Sequence, residues 1–202
     1  MSVTTEFFFD FGSPNAFLAH RALPDIEART NTQFRYVPML LGGVFKATNN
    51  VSPAISLQGI LNKGEYQALE TQRFIVEHDI SDYARNPYFP VNTLQLMRGA
   101  IVAEEEGFLP DYVEQVFIHM WSQPKKMDEL DIFRNALSSS GLPVEAIMTG
   151  ITSPDIKQKL IANTEQAVAR GIFGAPSFFV NAQLFFGKDK LGEVENWINK
   201  LS

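Results

Sequence analysis

The chain has 202 residues, 45% hydrophobic and 20% charged, with a formal net charge of -6. That is enough chain to bury a substantial core, as one domain or one domain with a large insertion. The acidic balance, with Lys125-Lys126 as the densest basic spot, excludes a nucleic-acid footprint and a cationic membrane-surface helix. Cysteine is absent, which removes disulfides, cysteine-ligated zinc, thiol nucleophiles and any C-x-x-C redox motif.

The N-terminal stretch MSVTTEFFFDFGSP has no Lys or Arg before Arg21, and its apolar run is only Phe7-Phe8-Phe9. A secretory signal needs a basic start and a longer apolar run. No stretch approaches the ~20 apolar residues of a membrane span. The expectation is a soluble cytoplasmic protein.

Thr5 to Phe11 reads as an aromatic strand, broken by Gly12-Ser13-Pro14. Ser followed by Pro is a helix start, with Ser13 as N-cap and Pro14 at the first helical position. Ala16, Phe17, Leu18, Leu23 and Ile26 continue a helical pattern, with Pro24 as an expected kink. Thr32 to Leu41 reads as a second strand, and Gly42-Gly43 as a turn. Helical periodicity then takes over in Glu65 to Asp79, Val91 to Glu106, Asp111 to Ser122 and Leu130 to Ser139. Ser153-Pro154 starts another helix, which ends before Gly171. Ser177 to Val180 and Gln183 to Phe186 read as a hairpin turning at Asn181-Ala182, followed by a closing helix from Leu191 to Leu201. The order is β-α-β, a helical block, then α-β-β-α. The expected units are 1–45 with 155–202 around a helical insertion at 46–154.

Four places could carry chemistry, and each has an ordinary reading beside it. Ser13 is by itself a helix cap worth about 1 kcal/mol. Yet a strand running into a helix start also gathers unpaired N–H groups and the positive end of the helix dipole, which suits an anion. Ala175-Pro176 is a simple helix stop, or a cis-proline that exposes the Ala175 backbone to an extended peptide. Phe186-Gly187-Lys188-Asp189 is a strand-to-helix turn, or a subsite for a zwitterion. Lys46 with Asn49-Asn50 reads as a solvated loop. His20, His78 and His119 lack metal-ligand spacing and read as structural or surface residues, so no metal is expected. G-x-S-x-G, G-x-G-x-x-G and the P-loop pattern are all absent.

Taken together, FFFDFGSPNAFLA at 7–19, GIFGAPSFFV at 171–180 and FFGKDKL at 185–191 resemble the DsbA-like branch of the thioredoxin superfamily. Serine in place of the first cysteine resembles the kappa-class glutathione transferases and the 2-hydroxychromene-2-carboxylate isomerases. The resemblance covers essentially the whole chain. It implies an α/β thioredoxin-like fold with an all-helical insertion, glutathione as cofactor, a small aromatic or electrophilic substrate, and a homodimer. It further implies that Ser13 hydrogen-bonds the glutathione sulfur and that Ala175, before a cis Pro176, pairs with the cysteinyl part. Phe186, Gly187, Lys188 and Asp189 match the segment for the γ-glutamyl end. Lys46 and Asn50 match polar residues near glutathione or substrate, and Asn86-Pro87 with Pro90-Val91-Asn92 match a loop lining the substrate pocket. Ala175 stands where members usually carry a β-branched residue, and Lys190 where Arg is common, which loses bidentate carboxylate geometry.

The implied chemistry is energetically reasonable. A free thiol with pKa near 8.5 is only about 3% thiolate at pH 7. Lowering that pKa by about two units needs roughly 2.7 kcal/mol. A serine hydrogen bond to a charged sulfur contributes about 1.5–3 kcal/mol, and a helix start about 0.3–1 kcal/mol more. The implied reaction is cis-trans isomerisation of 2-hydroxychromene-2-carboxylate through reversible addition of glutathione. The alternatives are a kappa-class glutathione transferase using the same thiol site, and a redox-inert thioredoxin-like binding module.

Overall fold

A computed structural model describes residues 3–201. The chain opens with β1 (Thr5–Phe9), α1 (Pro14–Thr30) and β2 (Phe34–Pro38). Helices follow: α2 (Leu41–Thr48), α3 (Pro53–Ser56), α4 (Lys63–Glu77), α5 (Leu94–Glu106), α6 (Leu109–Trp121), α7 (Leu130–Ser139), α8 (Val144–Gly150) and α9 (Pro154–Ala169). It closes with β3 (Ser177–Val180), β4 (Gln183–Phe186), a 3-10 turn at Lys188–Lys190, and α10 (Leu191–Leu201). The four strands form one sheet in the order β2-β1-β3-β4. β1 runs parallel to β2 and antiparallel to β3, and β3 runs antiparallel to β4.

The aromatic run explains why β1 is central. A strand covered on both faces reads as a nearly continuous apolar segment. Phe7 and Phe9 point into a large core shared with α1, α5, α6 and α10, while Phe8 points into a smaller one with Val37, Val44 and Phe179. Opposite-face alternation thus lets three consecutive phenylalanines serve two cores. Phe7 stacks on Phe178 of the paired strand with ring centroids 5.3 Å apart. The larger core is continuous from the sheet into the helices that interrupt it. Phe117 of α6 meets Phe9, Phe11 and Phe17, and the Trp121 indole N–H donates to the Phe11 carbonyl at 2.7 Å.

Several local expectations change. Helix α1 continues through Pro24, which lies on its exposed side, and ends at Asn31 in the left-handed region. Strand β2 is shorter than Thr32 to Leu41 because Leu41 already opens α2, and Gly42-Gly43 are helical rather than a turn. The physical reason is a carboxylate from outside the segment. Leu40 caps α2 with no side-chain bond, and the Leu41 N–H instead donates to Asp10 Oδ2 at 2.7 Å. Helix α5 starts at Leu94 rather than Val91, where Asn92 Oδ1 accepts the Leu94 N–H at 3.1 Å. The short α8 carries one buried apolar side chain, Ile147, which leaves too faint a period to read from sequence.

Candidate functional site

The site gathers at the end of the sheet where β1 leaves and β3 begins, since Phe8 pairs with Ser177. Ser13 follows β1 by four residues and caps α1. Its Oγ accepts the Ala16 N–H at 3.2 Å, and Pro14 fills the first helical position. The Ser13 hydroxyl donates to the Ala175 carbonyl at 3.0 Å, across 162 residues of sequence. Ser13 is only 5% exposed. The start of α1 therefore brings together a hydroxyl, helix-start N–H groups and the positive end of a 17-residue helix.

The opposite wall is the segment 173–177. The Ala175–Pro176 peptide is cis. Ser177 Oγ donates to the Gly174 carbonyl at 2.8 Å, and the Gly187 N–H donates to the Pro176 carbonyl at 2.9 Å. Phe186 lies against Phe173 with ring centroids 4.4 Å apart, and both are 41% exposed. Gly174 leaves room for the Phe186 ring, because a Cβ there would lie 2.7 Å from that ring and displace it. Sequence reasoning missed Phe173 as a companion of Phe186.

Lys188 and Asp189 occupy unlike environments. Lys188 is buried; its ammonium donates to the Asp189 carboxylate and sits 4.7 Å from the Phe74 ring centroid. Asp189 keeps two thirds of its side chain in solvent. Lys46 is exposed on the last turn of α2. Asn50 lies just beyond, where its Nδ2 donates to the Phe173 carbonyl at 2.8 Å. Ser13, Asn50, Ala175 and Phe186 are thus linked through α1, the end of α2 and the 173–187 segment, while Lys46 makes no hydrogen bond or ion pair with them.

Asn86 and Pro87 part company. Asn86 is buried, donates to the carbonyls of Met120 and Lys125 at 3.1 Å each, and accepts the Tyr88 N–H at 2.8 Å. Its polar atoms are spent on holding the chain, while Pro87 and Tyr88 face solvent. Of the histidines, His20 bonds Tyr36 and Glu114 between α1, β2 and α6. His119 takes part in bonds with Lys125 and Ser140, and burial pushes its pKa down, so the imidazole favours its neutral form. His78 packs on Phe74. Among the described residues, no group of three His, Cys, Asp or Glu side chains could hold a metal ion.

The other residue missed in the sequence is Asp10. It is 1% exposed, and burial pushes its carboxyl pKa up against the hydrogen bonds it accepts from Gly12, Leu41 and Thr93. An acid inside a run of phenylalanines was the available signal, since carboxylates are almost never fully buried without partners.

A thioredoxin-type sheet interrupted by helices, with serine at the start of the first helix and a cis-proline beside it, defines a thioredoxin-fold protein of DsbA architecture. The sequence pattern of the DSBA-like thioredoxin domain family matches residues 4–199, and the chain belongs to that family. It is 27% identical over 203 residues to a 2-hydroxychromene-2-carboxylate isomerase of Sphingobium xenophagum, covering 98% of this chain and 99% of that protein. It is 24% identical over 199 residues to glutathione S-transferase kappa 1 of Rattus norvegicus, covering 92% and 86%. Among solved structures, a 2-hydroxychromene-2-carboxylate isomerase superposes with a TM-score of 0.83 at 23% identity, covering 98% of this chain and 95% of that one. Pseudomonas aeruginosa DsbA shares the fold at a TM-score of 0.59 and 15% identity, with 98% and 83% covered.

The residues present fit glutathione. A buried hydroxyl at a helix start suits an anionic sulfur, the Ala175 backbone lies beside it, and the exposed Asp189 carboxylate suits an ammonium.

Proposed function

We propose that this chain is a glutathione-dependent isomerase of 2-hydroxychromene-2-carboxylate type, in which Ser13 stabilises the thiolate. The observation that carries the reading is the Ser13 hydroxyl, held between the start of α1 and the Ala175 carbonyl in a chain without cysteine. Glutathione, when bound, supplies the thiol nucleophile that the chain lacks.

The chain's own residues bind, orient and stabilise. Ser13 turns its hydroxyl from the Ala175 carbonyl, its present acceptor, toward the sulfur. That exchange of one acceptor for a charged one is favourable by about 1.5–3 kcal/mol for the new bond, less roughly 1 kcal/mol for the old. The dipole of α1 favours the same anion without moving. The backbone of Ala175 pairs with the cysteinyl unit, and Asp189 receives the γ-glutamyl ammonium. Lys188 serves Asp189 from beneath, because its ammonium is buried against that carboxylate and Phe74. Lys46, exposed on the last turn of α2, is available to glutathione or the substrate, while Asn50 holds that end of α2 to the Phe173 carbonyl.

Ser13→Ala is expected to lower turnover of 2-hydroxychromene-2-carboxylate by roughly 10–100-fold, the value of a hydrogen bond to a charged sulfur. Loss of the cap lowers stability by only about 1 kcal/mol. Calorimetry with millimolar glutathione and a turnover assay that follows free thiol test the reading together. No binding would overturn it. Glutathione consumed stoichiometrically, rather than returned, would replace the isomerase with a kappa-type transferase using the same thiol site.

A further inference from the structure

Asp10 belongs to no part of that account, yet it is the most deeply buried carboxyl beside Ser13. Its Oδ1 accepts the Gly12 N–H at 2.8 Å, and its own carbonyl accepts the Ser13 N–H at 3.0 Å. The turn that presents the Ser13 hydroxyl is therefore closed by Asp10 on two sides. Oδ2 accepts the Leu41 N–H at 2.7 Å, supplying α2 with the cap that Leu40 does not provide. The Thr93 hydroxyl adds a third donor. These hydrogen-bond partners of Asp10 are all uncharged.

These bonds close a circuit. From Leu41, α2 leads to Asn50, whose N–H donates back to the Phe45 carbonyl at 3.1 Å. The Asn50 side chain donates to the Phe173 carbonyl at 2.8 Å. Two residues further on, the Ala175 carbonyl accepts the Ser13 hydroxyl at 3.0 Å. Ser13 returns to Asp10 through Gly12. A second tether at the α2 start, Leu40 N–H to Thr164 Oγ1 at 3.0 Å, ties the helix to α9 and not to the Ser13 turn. Asp10 is the side chain that bonds directly to both the Ser13 turn and the start of the helix that carries Lys46.

We propose that Asp10 is a positioning residue of the glutathione site, whose carboxylate fixes the Ser13 turn and the Lys46–Asn50 segment relative to one another. The two carboxylate oxygens divide the task, Oδ1 holding the Ser13 turn and Oδ2 holding α2. The inference rests on the function proposed above. A misplacement of about 1 Å at a reacting group costs up to about 100-fold in rate, so a loosened circuit is read in catalysis and not only in stability.

Two variants separate the arms. Asp10→Asn keeps the shape but puts an amide N–H₂ where one N–H must find an acceptor. It is expected to lower kcat/KM by roughly 10–100-fold and to raise the pKa of the bound thiol, read from thiolate absorbance. Leu41→Pro leaves Asp10 intact and deletes the N–H on Oδ2 along with the partly buried leucine side chain, at a first helical position where proline is well accepted. It is expected to leave the bound thiol's pKa unchanged while raising KM for the electrophilic substrate. Asp10→Asn with a lowered melting temperature but unchanged kcat/KM would overturn the proposal, as would a Leu41→Pro protein kinetically identical to wild type. A wild-type protein that binds no glutathione would remove the proposed function. The circuit is then decided by amide NMR of Asp10→Asn, where shifts reaching the Asn50 and Phe173 resonances support it. Shifts confined to Gly12 and Leu41 overturn it.

Discussion

The helices between β2 and β3 fall into two unlike parts. In α5 and α6, Leu96, Met97, Ala100, Tyr112, Val116, Phe117 and Met120 are all fully buried, and they share one core with the sheet. In the stretch from Val51 to Val76, apolar side chains stand in solvent, with Ile55 at 63% and Leu61 at 86% exposed. Phe74 is the buried side chain of α4, and it meets Lys188 of the sheet unit. Burying an apolar side chain contributes about 1.5–3 kcal/mol, so the first part carries the stability and the second adds little. The second part follows α2 and Asn50 directly, which places it next to the candidate site. A change there can reshape the border of the site without weakening the framework.

The comparison breaks most sharply at Phe117. Phe117→Ala removes the ring that joins Phe9, Phe11 and Phe17 to α6, and it should lower stability by about 3–5 kcal/mol in denaturant unfolding. A loss under about 1 kcal/mol would mean that α6 is not the framework described.

The next effect is smaller and depends on pH. Glu114 of α6 accepts hydrogen bonds from His20 at 2.9 Å and Arg21 at 2.7 Å on α1, and these hold its carboxyl at a pKa of about 2, below the ordinary 4.5. The unfolded chain therefore binds more protons than the folded one between those values. The contribution is complete above about pH 4.5 and is lost as pH falls toward 2. Because Glu114 is over a third exposed, its screened worth is on the order of 1 kcal/mol. Melting temperatures of wild type and Glu114→Gln should differ at pH 7 and converge in acid. A constant difference across that range would contradict the pairing.

The smallest effect sharpens the other side. Leu61→Ser should change stability by less than about 0.5 kcal/mol. A large loss of stability in dilute solution would show that Leu61 is covered by a contact outside this chain.

Much of this was legible in advance, and the exceptions share a cause. The aromatic strand, the Ser13-Pro14 start and the closing hairpin are local signals, and each forms where its own residues place it, although the strand ends at Phe9 rather than Phe11. Helix α2 was not legible, because its cap comes from Asp10, 31 residues earlier. Asn86 resembled a pocket residue by position, but its amide faces the carbonyls of Met120 and Lys125, a pairing that only the folded chain reveals. Lys188 is likewise buried, with its ammonium over Phe74 on a distant helix. Local pattern gives the elements, while the polar atoms inside the fold are matched by partners that no window of sequence contains.

The hydrogen bond from Ser13 to Ala175 has a consequence for biosynthesis. Its two partners are 162 residues apart, and β1 also waits for β3 before it is paired on both sides. At roughly 5–20 residues per second, a ribosome takes on the order of ten seconds or more to deliver the second partner after the first. A nascent or truncated chain ending anywhere in the helical block carries the serine but not the wall that faces it. The pairing of Ser13 with Ala175 is therefore assembled only after the 173–177 segment has been made, and shorter products lack it.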